Sequence, residues 1–303
     1  MFVMNDSFVD YLKSHANSRV YLKPYWGNSG DHLIWLGNEL LLEELGITRC
    51  ADPSKADIIL WPGGNPTMWA SNIDAWCDCW KRWPVSEFVV APATFQGNEH
   101  RWRYLLKNAP GNVRGAFCRD RESYQNLREV GLRSDIETGL GHDPAFHLKD
   151  SAWIKSKCEA NTSEYVLASF RNDHESEFVA PRRRPFIRRL LQIWPLSSLE
   201  RRLQGRRHER FHQRRMELVK KISGANENIL EQDASLMSFE LFVECVQRAS
   251  EVHTDRLHCM ILALLLGKEV FAYPTGYSKL EGVYEHSVKS WASVRFVREG
   301  GGA

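Results

Sequence analysis

Short apolar runs alternate with segments of helical periodicity along the whole chain. This alternation constrains the fold more than any other feature. Arg19–Leu22 reads as a strand. Asp31–Leu45 reads as a helix, with Leu33, Leu36, Leu40, Leu41 and Leu45 near helical spacing and Gly46 in the stop position. Asp57–Trp61 is a short buried strand that runs into Pro62-Gly63-Gly64. Phe88–Pro92 and Gly115–Cys118 follow, then a helix from Asp120 to Val130 closed by Gly131. The second half repeats the theme with strands at Tyr165–Phe170, Ser250–His253 and Glu269–Tyr273. Helices are expected over Ser238–Arg248 and Asp255–Leu266, the latter closed by Gly267. Such alternation specifies an α/β protein in which helices cover parallel sheets.

The chain has 303 residues, and single cores stop growing at about 250–300. Two Rossmann-like domains facing each other across a cleft are therefore expected. The polar stretch Lys149–Glu164 is the expected linker between an N-terminal domain (1–150) and a C-terminal domain (151–303).

One block departs from the pattern. Residues 181–221 carry 12 Arg and 2 Lys against 3 Glu, a net +11. The whole chain has a formal charge of +2, so the remainder is −9. Phe186, Ile187, Leu190, Leu191, Ile193, Trp194, Leu196, Leu199 and Leu203 lie among those cations. Basic residues interleaved with apolar ones suit an interfacial helix that meets anionic head groups. The same pattern suits a solvated helical excursion whose apolar side packs on its own domain. Nucleic acid is not the expected partner, because the rest of the chain is acidic and carries no recognisable nucleic-acid module.

Met1–Lys13 is not expected to be a secretory leader, since Asp6 and Asp10 interrupt it. The longest apolar run, Leu257–Leu266, is about half of what spans a bilayer and contains His258. Seven cysteines at irregular spacing, with no C-x-x-C, argue for reduced thiols rather than a disulfide scaffold or zinc module. A cytoplasmic protein is expected, with a peripheral position on the inner membrane face if the basic block meets lipid.

Ligands of open α/β sheets bind beyond the carboxyl ends of strands. Asn28-Ser29-Gly30-Asp31 follows the first strand and opens a helix, where small residues admit a ligand and the helix end favours an anion; Asp31 could equally cap the helix. Gly63 and Gly64 follow the second strand as a tight turn that permits close backbone approach. His142-Asp143 follows the first half and offers an acid/base pair, or Asp143-Pro144 makes a turn. Arg171 follows Tyr165–Phe170. Arg256 and His258 stand two residues apart at the start of an apolar helix, as an anion site or as part of a structural Arg–Asp pair. Trp26, Trp61 and Trp69 could stack on sugar faces or fill the core. No carboxylate cluster calls for a divalent metal, and no cofactor is expected.

Taken in order, several of these elements resemble the polysaccharide pyruvyl transferases: Asn28-Ser29-Gly30-Asp31, Trp61-Pro62-Gly63-Gly64, Arg119-Asp120-Arg121-Glu122-Ser123 and His142-Asp143-Pro144-Ala145-Phe146. Arg171-Asn172-Asp173, Asp255-Arg256-Leu257-His258 and Gly267-Lys268 with Tyr277-Ser278-Lys279 continue the match. The resemblance covers residues from about 25 to 285. The Arg-rich block lies outside the family pattern. The resemblance implies a GT-B-like fold, with the acceptor on the N-terminal domain and phosphoenolpyruvate on the C-terminal one. It implies transfer of a pyruvyl group from phosphoenolpyruvate to a sugar or lipid-linked oligosaccharide of a surface polysaccharide or exopolysaccharide precursor, forming a ketal. Arg171, Arg256 and His258 would hold the donor, with Lys279, Asn28, Gly30, Gly63 and Gly64 also lining substrate. His142, Asp143 and Asp31 would handle protons. Two other readings share the sequence: a GT-B glycosyltransferase using a nucleotide sugar, and a non-catalytic binder of anionic lipid.

Overall fold

The computed structural model describes residues 6–24, 27–160, 162–171, 209, 212–224, 228–233, 236–274 and 278–298. The protein is α/β. It divides into one unit of residues 1–159 and 282–291 and a second of 160–281 and 292–303. Each unit holds one parallel sheet of five strands among the described residues.

In the first unit the order is α1 (Ser7–Ser14), β1 (Val20–Leu22), α2 (Ser29–Glu44), β2 (Ile58–Trp61), α3 (Ala70–Arg82), β3 (Glu87–Ala93). It continues with α4 (Glu99–Lys107), β4 (Val113–Cys118), α5 (Arg121–Arg128), β5 (Glu137–Leu140) and α6 (Ala152–Glu159). The sheet runs β1-β2-β3-β4-β5. Its two faces follow from the two-residue repeat of a strand. Ile58, Leu60, Val89 and Ala91 pack with Phe8, Leu12, Leu41 and Leu42 of α1 and α2. Ile59, Trp61, Phe88 and Val90 pack with Trp76, Trp80, Trp102 and Leu127 of α3, α4 and α5. Trp61 therefore fills the core, edge-on to Trp76, rather than facing a ligand.

The side change between α2 and α3 marks where winding reverses. Val20 of β1 bridges Arg49 in parallel and also pairs with Ile58 of β2. The chain thus leaves β1 on one side, touches it again at Arg49, and resumes the sheet at β2 on the other side. The carboxyl ends of β1 and β2 frame the switch point where open sheets take ligands.

The second unit is built the same way. Its elements are β6 (Tyr165–Ser169), a helix α7 over 212–223, β7 (Ile229–Glu231), α8 (Phe239–Gln247), β8 (Ala249–Thr254), α9 (Leu257–Leu265), β9 (Glu269–Ala272), α10 (Lys279–Val283) and β10 (Val294–Phe296). The sheet order is β10-β9-β8-β6-β7. The chain steps from β6 to β7 and then crosses back to β8, so the switch point lies between β6 and β8.

The stretch Lys149–Glu164 holds more structure than a linker. Ser151 caps α6 by accepting from the Ile154 N–H at 3.1 Å, and Ile154 is buried. Of the basic block, residues 181–208, 210 and 211 lie outside the described residues, as do Tyr25, Trp26, Asn172, Asp173 and Tyr277. Its last part is α7, which packs Val219, Met216 and Leu218 onto the β6 face of its own unit. For that part the own-domain alternative holds. No described helix is long and apolar enough to cross a membrane.

Candidate functional site

At the switch point of the first unit, Asn28 caps α2. Its side chain accepts from the Gly30 N–H at 2.8 Å, and the Asp31 carboxylate accepts from the Asn28 N–H at 3.0 Å. Asp31 thus completes a capping box. A side chain at Gly27 would put its Cβ 1.9 Å from that carboxylate and so displace the Asp31 side chain. Gly63 takes φ +105°, and a Cβ on it would lie 2.6 Å from the Pro92 carbonyl oxygen. Gly64 sits beside Ile34 and Asp31 of α2. Asn38 ties α2 to the same turn by donating to the Pro62 carbonyl at 2.8 Å. Asn28, Gly30, Asp31, Gly63 and Gly64 therefore meet at one place, with Asn28 exposed and the three glycines buried. Trp69 is about half exposed (49%).

His142 and Asp143 stand elsewhere, after β5. Asp143 is fully buried and ion-paired with Arg119, Oδ2 to Nη1 at 2.5 Å. Its other oxygen accepts from the Ala145 N–H at 3.0 Å and starts the short helix 144–148. The turn-making alternative thus describes Asp143, with an ion pair added. Arg119 Nε donates to Thr94 Oγ1 at 2.9 Å, and Thr94 donates to Asp120, which caps α5 through the Ser123 N–H. The ends of β3, β4 and β5 are joined by this buried network. His142 is 8% exposed. Its ring lies parallel to His286, with centroids 4.9 Å apart, and Nδ1 is 2.9 Å from Ser287 Oγ. Burial lowers the pKa of both imidazoles, so both are neutral at pH 7.

At the switch point of the second unit, Asp255 receives the Arg171 N–H at 2.8 Å and pairs with Arg215 of α7. Asp255 therefore stays outside α9, which begins at Leu257 rather than at the expected Asp255. Burial raises the Asp255 pKa against the pull of Arg215. The Arg215 guanidinium also lies over Phe170 and Tyr273, at 4.9 and 5.7 Å from the ring centroids. Arg256 is the N-cap of α9, its N–H donating to Thr254 Oγ1 at 2.9 Å and its guanidinium pairing with Asp233. A structural Arg–Asp pair is thus present at both Asp255 and Arg256. Arg171 and Arg256 are 8% and 7% exposed and stand at neighbouring strand ends. His258 is half-buried in the first turn of α9, and Lys279 is half-buried at the start of α10.

Sequence reasoning missed Arg119, Asp233, Arg215, His286 and Ser287 as parts of these groups. Arg119 stood inside a quoted motif. Arg215 was hidden in the charge of the basic block, although Val219 one turn later marks its buried side. His286 and Ser287 carry no local signal. Among the described residues, no group of three or more His, Cys, Asp or Glu side chains could hold a metal ion. All seven cysteines are free.

The profile of a family described as polysaccharide pyruvyl transferase matches residues 21–277. No curated protein matches the chain. An uncharacterized protein from Klebsiella pneumoniae subsp. pneumoniae NTUH-K2044 shares the fold at 20% identity, covering 98% of this chain and 100% of its own, with a TM-score of 0.65. Anabaena HepE in complex with UDP and glucose matches at 14% identity, 92% of this chain and 84% of its own, TM-score 0.43. Methanocaldococcus jannaschii UDP-GlcNAc 2-epimerase, in complex with UDP-GlcNAc and UDP, matches at 11% identity, 92% and 88%, TM-score 0.39. With the family profile running from β1 to beyond β9 and so over most of the chain, the chain belongs to the polysaccharide pyruvyl transferase family.

Proposed function

We propose that the protein transfers a pyruvyl group from phosphoenolpyruvate to a sugar of a surface polysaccharide or exopolysaccharide precursor, forming a pyruvate ketal. The observation that carries this reading is the placement of Arg171 and Arg256 at adjacent strand ends of one switch point, with His258 in the first turn of α9. Phosphoenolpyruvate brings a carboxylate and a phosphate, and a planar guanidinium fork suits either. Asp233 holds the Arg256 guanidinium from one edge and so fixes its plane. The positive end of α9 adds to the attraction.

The reaction balances without a cofactor. The donor's methylene carbon gains a proton and becomes a methyl group. A first sugar hydroxyl forms a C–O bond to the neighbouring carbon. The C–O bond to phosphate then breaks, and a second hydroxyl closes the ketal. Of the two hydroxyl protons, one is balanced by the new methyl group and one by the released phosphate. Cationic groups at the phosphate stabilise its departure. Asp31 and Asp143 are committed to a cap and an ion pair, so His142 is the residue we assign to the acceptor. The turn at Asn28, Gly30, Gly63 and Gly64 is assigned to the acceptor as well. Lys279 is assigned to the donor.

A lipid-linked acceptor fits the charge of the basic block ahead of α7, residues 181–211, which would meet anionic lipid on the inner membrane face. Sedimentation with anionic vesicles at low salt tests that part, and equal recovery with neutral vesicles would remove it.

The main test is mass spectrometry of candidate oligosaccharide acceptors incubated with the protein and phosphoenolpyruvate. A pyruvyl mass gain with acceptor-dependent phosphate release is the expected result. Sugar transfer from a nucleotide donor, with no response to phosphoenolpyruvate, would overturn it.

A further inference from the structure

Residues 284–288 form a turn of π-helix, closed by the Lys289 N–H donating to the Tyr284 carbonyl at 2.9 Å. Such turns are rare and recur at functional sites. This one places two consecutive residues against one imidazole. The His286 ring stacks on His142 at 4.9 Å and 13°, and Ser287 Oγ reaches His142 Nδ1 at 2.9 Å. His286 Nε2 lies 3.1 Å from the Gly141 carbonyl, so it carries a proton and donates it there. The His142 main-chain N–H donates to Asp6 of the α1 cap at 3.1 Å. Backbone and ring of His142 are thus fixed from both sides, while Nε2 is buried with no partner among the described residues.

The hydrogen-bond inventory selects the tautomer. Ser287 is 3% exposed, and the His142 ring is its hydrogen-bond partner among the described residues. If Ser287 donates to Nδ1, the proton sits on Nε2 and one buried polar group awaits a partner. If Nδ1 donates instead, both the hydroxyl proton and the bare Nε2 are left unsatisfied. Each such group costs free energy, so the first arrangement wins.

We propose that the π-turn is a positioning device: Ser287 sets the His142 tautomer, His286 holds the ring by stacking, and His142 offers a neutral Nε2–H donor to an acceptor-sugar oxygen. Ser287 and His286 are positioning residues. The claim about the acceptor rests on the function proposed above; the claim about the tautomer does not. The charged and titratable groups facing the ring are Asp6 from α1, Asp143 with its partner Arg119, His147 from 144–148, and His286 with Arg121 behind it. The two carboxylates favour a charged ring, whereas burial and His147 oppose it, and burial is the largest of these effects.

Long-range nitrogen–proton NMR on the full chain, labelled at histidine nitrogens, reads the tautomer directly. His142 is expected as a neutral Nε2–H ring from pH 6.5 to 8. Ser287→Ala should give a mixture of tautomers, and Ser287→Thr should restore the single form. A wild-type His142 protonated at Nδ1, or titrating at the ordinary value of about 6.5, would overturn the device whatever the enzyme does. In the pyruvyl-transfer assay, Ser287→Ala should lower kcat/KM for the acceptor about tenfold and leave the KM for phosphoenolpyruvate unchanged. Unchanged acceptor kinetics in a variant whose tautomer has shifted would overturn the link to the acceptor while the function itself stood.

Discussion

The Arg119 guanidinium and the Asp143 carboxylate form a fully buried ion pair that ties the end of β4 to the turn after β5, next to His142. Breaking such a pair from one side strands a charge in the interior, which costs about 3–5 kcal/mol. Asp143→Ala and Arg119→Ala should each destabilise the protein by that order, measured by urea unfolding at pH 7.5. Asp143→Asn keeps the shape and the Ala145 cap and should cost less. A loss below about 1 kcal/mol in both alanine variants would show that the pair does not hold this edge together.

Four histidines predict how stability responds to pH. His142, His147, His253 and His286 all titrate below their ordinary value, with burial as the main cause in each. The unfolded chain binds protons at about pH 6.5, where the folded rings still resist them. Stability should therefore fall as pH drops below that point and level off only once the folded rings protonate. His253 lies 2.8 Å from Tyr273 and 2.9 Å from Glu251; the carboxylate favours the charged ring, and burial outweighs it. Urea midpoints between pH 5.5 and 7.5 should rise with pH, and His253→Gln should flatten the slope. A flat wild-type profile would refute the assignment.

The two-sheet architecture was legible because parallel strands buried on both faces leave continuous apolar runs such as Asp57–Trp61 and Phe88–Pro92. The polar elements were not: α4, β5 and α6 carry few apolar residues, and only Trp102, Leu106 and Ile154 anchor the two helices. Strand-end residues were found because the chain reverses beside them. The partners that shape them come from far along the sequence. Asp233 reaches Arg256, Arg215 reaches Asp255, and His286 reaches His142 across 144 positions. No local pattern encodes such a meeting.

The turn after β2 predicts a contrast between glycines. Gly63 combines φ +105° with a would-be Cβ only 2.6 Å from the Pro92 carbonyl oxygen. Gly46 has φ +65° with nothing within 4 Å. Gly63→Ala faces backbone strain and a collision with main chain, and should cost upwards of about 2 kcal/mol. Gly46→Asn keeps a residue that tolerates the left-handed region and should cost under about 1 kcal/mol. Thermal unfolding of the two variants side by side checks this, and equal losses would mean that the Pro92 carbonyl yields.

The donor assignment predicts that charge alone will not replace Arg256. Its guanidinium already pairs with Asp233, so any ligand must share the same planar group. Lysine is a point charge on a flexible stem and cannot serve two partners in one plane. Arg256→Lys should keep the fold, because Asp233 retains a cation, yet lose about 10- to 100-fold in kcat/KM for phosphoenolpyruvate, the range for a hydrogen bond to a charged group. Circular dichroism and steady-state phosphate release would separate the two effects. If the variant turns over within twofold of the parent, Arg256 serves Asp233 alone, and the donor anion must be held by Arg171 and His258 without it.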